Sequence, residues 1–226
     1  LHLCDRRQRQ MCIRDSRDLH SGHFGGAVAN PINTLCSMLA QVIGEDGHIT
    51  IPHFYDDVEK VPAAEREMIA QIPFDEKKYM EAIGVKALKG EKGYSTLERN
   101  SCRPSFDICG IWGGYTGEGS KTVLPSKAYA KVSCRLVPHQ NHAVISQLFV
   151  DYIQSIAPEY VQVKVTPMHG GEGYVCPITL PAYQAAEKGF AKAFGKKPLA
   201  VRRGGSIPII SDFAVSYTHL TLPTIA

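Results

Sequence analysis

Two segments of alternating polar and apolar residues constrain the fold of this chain more than any other feature. Ser105–Gly113 is rich in isoleucine and phenylalanine, and a loop of glycine, serine and lysine joins it to a second alternating segment, residues 128–137. Alternation with a period of two is typical of strands that bury one face. A helical pattern over residues 139–157 and a further strand at residues 160–165 follow. The order strand, helix, strand, strand, helix, strand resembles a ferredoxin-like split βαβ unit.

The residues before the first of these strands are predicted to be helical. Asparagine followed by proline at the start of residues 30–44 predicts a helix, because proline is tolerated in the first turn. Residues 52–100 are polar, with helical patches at residues 63–72 and 76–83, and predict an irregular helical insertion over one face. We therefore expect an α+β domain: an antiparallel sheet with two helices and a helical insertion.

The later part of the chain is predicted to belong to a second domain. Pro181–Phe194 has the apolar stripe of an amphipathic helix, and we expect a strand at residues 199–201 and a loop at residues 202–208 after it. We therefore assign residues 17–175 to one domain and residues 176–215 to part of another.

Both ends of the sequence differ from the rest. Residues 1–16 and residues 216–226 have neither a helical nor a strand period and are out of register with the patterned residues beside them. We expect both to be non-native or disordered extensions outside the fold.

Charge and apolar pattern argue against two classes of partner. The formal net charge is +3, but residues 1–16 alone hold four arginines and two aspartates, so the remainder is close to neutral. There is no basic stripe with interleaved aromatic residues to follow a phosphate backbone, and we expect no nucleic-acid partner. No run approaches the roughly 18 apolar residues of a membrane span, and we expect no membrane partner. Seven cysteines without a Cys-x-x-Cys pair predict free thiols and a reducing, cytoplasmic location.

Residues 17–26, Arg-Asp-Leu-His-Ser-Gly-His-Phe-Gly-Gly, have the composition of a loop that presents a side chain. Glycines let the backbone turn tightly, so the first histidine is either presented to a ligand or solvated in a turn. His20 and His23 are three residues apart, which can place two imidazoles on one helical face. The same spacing recurs at His139 and His142. Neither pair has a carboxylate pair or a cysteine nearby to complete a zinc shell, and we predict no metal ligand in this chain.

Three further residues lie in contexts that suggest binding. Arg135 is placed near the end of a strand, where a structural ion pair is the ordinary role of an arginine. His169 follows a strand and precedes two glycines. Ser206 lies in the segment Arg-Arg-Gly-Gly-Ser-Ile-Pro, which lacks the spacing of a nucleophile elbow. We interpret its hydroxyl as a donor in a backbone-rich binding loop.

Five segments, in the order RDLHSGHFGG, GSKTVLP, CRLVP, MHGG and RRGGSIP, resemble those of the di-zinc metallopeptidases. This family includes carnosinase, cytosolic non-specific dipeptidase, carboxypeptidase G and aminoacylase, and the likeness is to its dipeptidase branch. The resemblance implies a zinc-bearing α/β catalytic domain that is interrupted by a ferredoxin-like lid, or dimerisation, domain. Residues 17–175 then correspond to the lid, and residues 176–215 to a truncated piece of the α/β catalytic domain.

The resemblance also implies a mechanism. Two zinc ions bridged by a carboxylate activate a water whose proton passes to a glutamate base, and the resulting oxygen attacks the peptide carbonyl. In a homodimer, His20 would reach across to stabilise the oxyanion in the partner's site, with Thr122 beside it. Arg135, His169 and Ser206 would hold the free carboxylate of a small peptide substrate in their own subunit.

The chain departs from the family's pattern in one respect. The family's zinc ligands and glutamate base lie before the lid domain and after the RRGGSIP segment, in regions that this sequence does not contain. We therefore expect the parent protein to be a dipeptidase that uses two zinc ions, and this fragment alone to be inactive. Two alternatives stay open: a non-catalytic dimerisation or ligand-binding module, and a deacylase of N-acyl amino acids from the same family.

Overall fold

The structure, a computed structural model, describes residues 9–14, 17–171 and 173–202. Its strands are β1 (Arg9–Arg14), β2 (Leu19–His20), β3 (Ser105–Gly113), β4 (Val123–Leu124), β5 (Lys127–Arg135) and β6 (Gln162–Thr166). Its helices are α1 (Ser21–Phe24), α2 (Pro31–Ala40), α3 (Ala63–Ala70), α4 (Glu76–Ile83), α5 (Thr96–Ser101), α6 (His142–Ser155) and α7 (Pro181–Phe194). This mixture of helices and antiparallel strands is the α+β class that the sequence predicts.

Strands β3, β5, β1 and β6 form the main sheet, in that spatial order. Each neighbouring pair is antiparallel. Helix α2 lies between β1 and β3 in the sequence, and α6 lies between β5 and β6. The chain therefore runs strand, helix, strand, strand, helix, strand, and the predicted ferredoxin-like arrangement is confirmed.

Strand β1 corrects one prediction. The sequence predicts residues 1–16 to lie outside the fold, whereas Arg9–Arg14 form a strand between β5 and β6. Arg14 lies opposite Lys127 on one side and Gln162 on the other. A strand in this position pairs its backbone N–H and C=O groups with both neighbours, and that pairing requires no side-chain pattern. The expectation of a disordered extension is therefore wrong for Arg9–Arg14.

The core lies between one face of the sheet and helices α2 and α6. It includes Leu35, Met38 and Leu39 of α2, Ala128, Ala130 and Val132 of β5, and Ile145, Phe149 and Ile153 of α6. The alternating residues of β5 point into this core, as the period of two predicts. The buried face thereby fixes the register of β5, because a slip of one residue would expose its apolar side chains.

Helix α2 begins where the sequence predicts and ends earlier. The side chain of Asn30 accepts a hydrogen bond from the N–H of Ile32 at 2.9 Å, and proline occupies the first turn. The helix ends at Ala40 rather than near residue 44, because the chain then turns back on itself. The N–H of Thr50 donates to the carbonyl of Val42 at 2.9 Å, and this non-helical bond replaces a further helical turn.

Helix α6 begins at His142 rather than at the predicted residue 139. Asn141 caps it, accepting hydrogen bonds from the N–H groups of Ala143 at 2.9 Å and Val144 at 3.1 Å. His139 precedes the cap and has a φ of +72°, so the two histidines do not share a helical face. Its Nε2 lies 3.4 Å from the carboxylate of Glu59 instead.

The helical insertion predicted for residues 52–100 is confirmed: it holds α3 and α4, and α5 extends one residue beyond it. A half-buried polar cluster holds the end of this insertion to the loop that precedes it. Arg103 donates two hydrogen bonds of 2.7 Å to the carboxylate of Glu91, and His48 Nδ1 lies 3.2 Å from the same group. The guanidinium also lies over the ring of Tyr55, with 4.9 Å from its central carbon to the ring centroid. This cluster ties together segments that are far apart in the sequence.

The segment that follows α7 corrects a second prediction. Residues 199–201 are not a strand, because they have no pairing partner among the described residues and a strand requires one for its backbone groups. Among the described residues, Cys36, Cys102, Cys109, Cys134 and Cys176 form no disulfide bond. Within the described parts of the chain, no helix combines the length and apolar character needed to cross a membrane.

Candidate functional site

A short ladder beyond the main sheet presents His20. Strands β2 and β4 pair antiparallel, with His20 opposite Val123. This pair continues the direction of the β1–β5 ladder, which ends at Lys127. The N–H of Ser21 extends the pairing by donating to the carbonyl of Thr122 at 3.2 Å. The backbone therefore fixes His20 and Thr122 side by side, although most of the domain separates them in sequence.

The side chains of these two residues are also in contact. Nε2 of His20 lies 3.2 Å from Oγ1 of Thr122, and both residues are exposed. The other ring nitrogen, Nδ1, accepts a hydrogen bond from the backbone N–H of Gly22 at 3.0 Å. The ring of His23 is tilted against that of His20, with 4.9 Å between the centroids. The structure thus brings together two of the predicted site residues on an accessible surface.

Asp18 secures this arrangement, and the sequence alone did not give it a role. Its Oδ1 accepts a hydrogen bond of 2.7 Å from the N–H of Ser126, which links the two sides of the ladder. That backbone hydrogen bond holds the pKa of the Asp18 carboxyl below its ordinary value. The signal available in the sequence was an acidic residue in the same glycine-rich motif, but its partner is visible only in the structure.

Arg135 and His169 lie at the other end of the sheet. Gln10 of β1 is opposite both Lys131 of β5 and Thr166 of β6, so these two residues are level across the sheet. Arg135 follows Lys131 along β5, and His169 follows Thr166 just beyond β6. Because β5 and β6 are both antiparallel to β1, they run in the same direction and end on the same side. Strands with one strand between them lie about 10 Å apart, a distance that long side chains can span.

The two groups of site residues are well separated within one chain. Strand β5 runs from Lys127, next to the His20 ladder, to Arg135. At about 3.3 Å per residue this strand is about 26 Å long. A dipeptide is much shorter than this distance, so His20 and Arg135 of one chain cannot contact the same small substrate. Ser206, the remaining predicted binding residue, lies outside the described residues.

A cavity of about 500 Å³ lies next to the end of β5. Its walls include Met68 of α3, Leu136 and Pro138 after β5, and Tyr183 of α7. Arg202 lines it as well, and its Nη2 donates to a carboxylate oxygen of Glu65 at 2.8 Å. The arginine is half-buried and paired, so this ion pair closes one wall of the cavity. This ion pair leaves no signal in the sequence, because Glu65 and Arg202 are far apart in the chain.

Zinc ligands require a group of histidine, cysteine or carboxylate side chains that converge on one point. No group of three or more such residues converges among the residues that the structure describes. His20 and His23 do not form the start of one, since both nitrogens of His20 already have hydrogen-bond partners. The described residues therefore do not fit a zinc site by themselves.

Comparison with known protein families gives a direct match. Residues 14–161 match the family described as the peptidase dimerisation domain. The chain belongs to this family. The match covers the main sheet from the end of β1 to the residues before β6, together with the helical insertion and the His20 ladder. The resemblance to the metallopeptidases predicted from the five sequence segments is confirmed.

Individual relatives of this dimerisation domain are dipeptidases. The chain is 28% identical over 200 residues to Beta-Ala-His dipeptidase of Rattus norvegicus, covering 87% of this chain and 41% of the relative. It is 28% identical over 204 residues to Cys-Gly metallodipeptidase of Schizosaccharomyces pombe, with coverages of 89% and 43%. The crystal structure of human carnosine dipeptidase 1 superposes with a TM-score of 0.78 at 27% identity, covering 92% of this chain and 45% of that chain. The chain thus spans about two-fifths of the length of the curated relatives.

Proposed function

We propose that this chain is the lid and dimerisation part of a zinc-dependent dipeptidase, which hydrolyses the peptide bond of small peptides that have a free carboxylate. The family match and the metallodipeptidase relatives support this proposal. Because the described residues do not form a metal site, the zinc ligands and the general base would lie in other parts of the parent protein. The isolated chain would then bind and position substrate without cleaving it.

In this proposal His20 stabilises the oxyanion that forms when the peptide carbonyl is attacked. An imidazole N–H can donate a hydrogen bond to that oxygen, and such donors contribute most when they are held in place before the reaction. The exposed ladder that carries His20, and the contact of its Nε2 with Thr122, support this role. The Thr122 hydroxyl would donate to the substrate beside it.

Arg135, His169 and Ser206 would hold the carboxylate at the end of the peptide. A guanidinium suits this task because its N–H groups can bind both carboxylate oxygens at once. The positions of Arg135 and His169 at the same end of the two strands that flank β1 support a shared substrate. A neutral amide in place of the carboxylate would lose the charge-assisted part of this contact.

The observation that carries the proposal is the length of strand between His20 and Arg135. A separation of about 26 Å means that the oxyanion donor and the carboxylate clamp of one chain serve different substrate molecules. A complete site then needs His20 from one subunit and Arg135 from another. The proposed homodimer provides this combination, and a monomer does not.

Strand β3 is the surface that we propose for the dimer. It forms one edge of the main sheet and is nine residues long, and such edges pair readily with another strand. Three large apolar side chains on it are substantially exposed: Ile108 by 47%, Ile111 by 47% and Trp112 by 41%. The opposite edge, β6, has polar or charged residues at its exposed positions. A second copy is the occupant that fits an edge in a dimerisation domain.

Pairing β3 with its own copy about a two-fold axis would also bring the two groups of site residues together. Gly113 of β3 lies opposite Ala128, near the His20 end, and Ser105 lies opposite Arg135. Antiparallel pairing places the Gly113 end of one subunit beside the Ser105 end of the other. The two β5 strands would lie roughly 14 Å apart across the joined sheet. The His20 end of one subunit thus projects toward the Arg135 end of its partner.

A mixing experiment with the full-length parent enzyme tests the proposal. Two impaired variants, His20→Ala and Arg135→Ala, are combined under conditions that let subunits exchange. Activity is assayed at a substrate concentration well below KM, where a lowered kcat and a raised KM both reduce the rate. In a mixed dimer one site has both defects and the other has neither, so activity should return to about a quarter of the wild-type value. Failure of the mixture to recover activity would contradict a site shared between subunits.

A substrate panel separates the remaining alternatives. Dipeptides, amidated dipeptides and N-acyl amino acids are supplied to the same full-length enzyme. Preferential cleavage of unmodified dipeptides supports a dipeptidase, whereas preference for N-acyl amino acids would favour a deacylase. A parent protein that cleaves none of them, yet dimerises, would favour a non-catalytic module.

A further inference from the structure

We infer that Gly22 is a positioning residue, whose backbone N–H fixes His20 as a hydrogen-bond donor at Nε2. The catalytic meaning of this arrangement rests on the proposed function of His20. The state of the imidazole ring, in contrast, is a property of this chain and can be measured without catalysis.

The hydrogen bond from Gly22 decides which ring nitrogen is protonated. A backbone N–H can donate and cannot accept, so Nδ1 of His20, 3.0 Å away, must use its lone pair. The proton of the neutral ring is then on Nε2. His20 also serves as the cap of helix α1, whose first N–H groups have no partner within the helix. The start of the helix thus selects one tautomer of the side chain.

Thr122 completes the chain of hydrogen bonds. With the ring proton on Nε2, the contact of 3.2 Å to Oγ1 of Thr122 is a donation from His20 to the hydroxyl. A hydroxyl that accepts one hydrogen bond keeps its own hydrogen free to donate. The Oγ1–H of Thr122 is therefore free to donate outward, and the Nε2–H of His20 can turn from the hydroxyl to a developing negative oxygen placed beside both groups.

Only glycine allows this geometry at residue 22. A Cβ atom there would lie 2.8 Å from Cε1 and 3.1 Å from Nδ1 of His20. The first distance is shorter than such atoms tolerate, so any larger residue pushes the ring away from the amide. Glycine is required here because the His20 ring lies so close. The backbone of Gly22 is helical, a conformation that any residue can adopt.

Nuclear magnetic resonance of the ¹⁵N-labelled chain tests the arrangement directly. A coupling between the Gly22 amide nitrogen and His20 Nδ1, transmitted through the hydrogen bond, is expected when the ring is neutral. Long-range correlations should show His20 with a protonated Nε2 and an unprotonated Nδ1. Absence of the coupling together with a mixture of both tautomers, as in a solvated imidazole, would overturn the inference.

Gly22→Ala provides the matching variant. It should abolish the coupling and allow both tautomers of His20, whereas Gly189→Ala, on an open face of α7 with no atom near its added Cβ, should leave both signals unchanged. If the coupling persists in Gly22→Ala, the claim that a Cβ at residue 22 displaces the His20 ring is overturned. The wild-type measurement decides the tautomer even if the variant folds poorly.

Kinetics of the full-length enzyme separate this inference from the proposed function. Gly22→Ala should lower kcat about tenfold with little change in KM, because it disturbs a contact made in the transition state. An unchanged kcat would overturn the positioning role. If His20→Ala itself leaves turnover unchanged, the proposed function fails while the measured tautomer still stands.

Discussion

The imidazole of His20 and the hydroxyl of Thr122 lie 3.2 Å apart, although 102 residues separate them in the sequence. The antiparallel pairing of β2 with β4 produces this contact, and the Asp18 carboxylate reinforces it from the other side of the ladder. Both side chains are exposed, so their contact contributes little to the core. Under the proposed function it is a surface prepared for substrate, in which rigid backbone sets the direction of two polar groups.

Replacing His20 tests the role of this surface. In the full-length parent enzyme, His20→Ala should lower kcat by about a hundredfold or more, as the loss of one oxyanion donor does. Steady-state kinetics on a dipeptide measure the change. His53→Ala is a suitable control, because His53 is exposed and pairs only locally with Asp56. Equal effects of the two substitutions would contradict an oxyanion role for His20.

Replacing Arg135 tests the proposed carboxylate contact. Arg135→Ala in the full-length enzyme should raise KM for unblocked dipeptides by about tenfold to a hundredfold, the value of a hydrogen bond to a charged group. Peptides with an amidated C-terminus should be much less affected, because they lack the charge that the guanidinium binds. A loss of the same size for both kinds of peptide would remove Arg135 from this role.

The proposed dimer surface is tested in the full-length parent enzyme with a charge on the edge strand β3. Ile111→Lys should convert the dimer to a monomer, because pairing would bury an ammonium group in an apolar contact. Analytical ultracentrifugation measures the mass. Thr166→Lys adds the same charge to β6 on the opposite edge and should leave the dimer intact. If Thr166→Lys dissociates the dimer and Ile111→Lys does not, the interface lies on the other edge.

Periodic segments of this fold were predictable, and segments stabilised by distant partners were not. The predicted bounds of β3, α4 and α7 agree with the structure, because each has a clear pattern between turn residues. Strand β1 carries no such pattern and is held by the backbone of two neighbouring strands. Residues 199–201 have a pattern but no neighbouring strand in the part of the chain that the structure describes. Sequence periodicity reports a buried face, and it does not report whether a pairing partner is present.

In the candidate site, too, some features could be predicted from the sequence and others could not. His20 and Arg135 were found because they lie in segments that resemble a known family. Their separation along β5 follows from the register of the sheet, which the sequence did not specify. Asp18 and Gly22 act through hydrogen bonds with a backbone group and a ring nitrogen. Such contacts leave little trace in residue type and become visible only from coordinates.

Adding metal tests the proposal that the zinc ligands and the general base lie in other parts of the parent protein. We expect the isolated chain to show no hydrolysis of dipeptides with or without added zinc, because its described residues do not converge on a metal. The full-length enzyme, stripped of metal and then given zinc, is the positive control. Zinc-dependent cleavage by the purified chain alone would contradict the assignment.

The ion pair between Glu91 and Arg103 predicts how stability depends on pH. Burial alone would raise the pKa of the Glu91 carboxyl, but hydrogen bonds from Arg103 and His48 outweigh it, and the pKa lies below its ordinary value. A group whose pKa is lower in the folded state stabilises the fold above its unfolded pKa. That contribution is lost as the pH falls through the folded pKa, which lies below the ordinary pKa of a glutamate.

Glu91→Gln should therefore destabilise the chain most near neutral pH. The side chains of Arg103 and Glu91 are only 9% and 12% exposed, so removing one charge leaves a desolvated guanidinium without its carboxylate. We expect a loss of about 3 kcal/mol in the free energy of unfolding at pH 7. The loss should shrink on acidification, since the wild-type carboxylate is then protonated as well. Urea unfolding at several pH values measures both variants. Asp56→Asn, at a carboxylate that is 66% exposed, should change stability little, and a similar loss there would contradict the importance of burial.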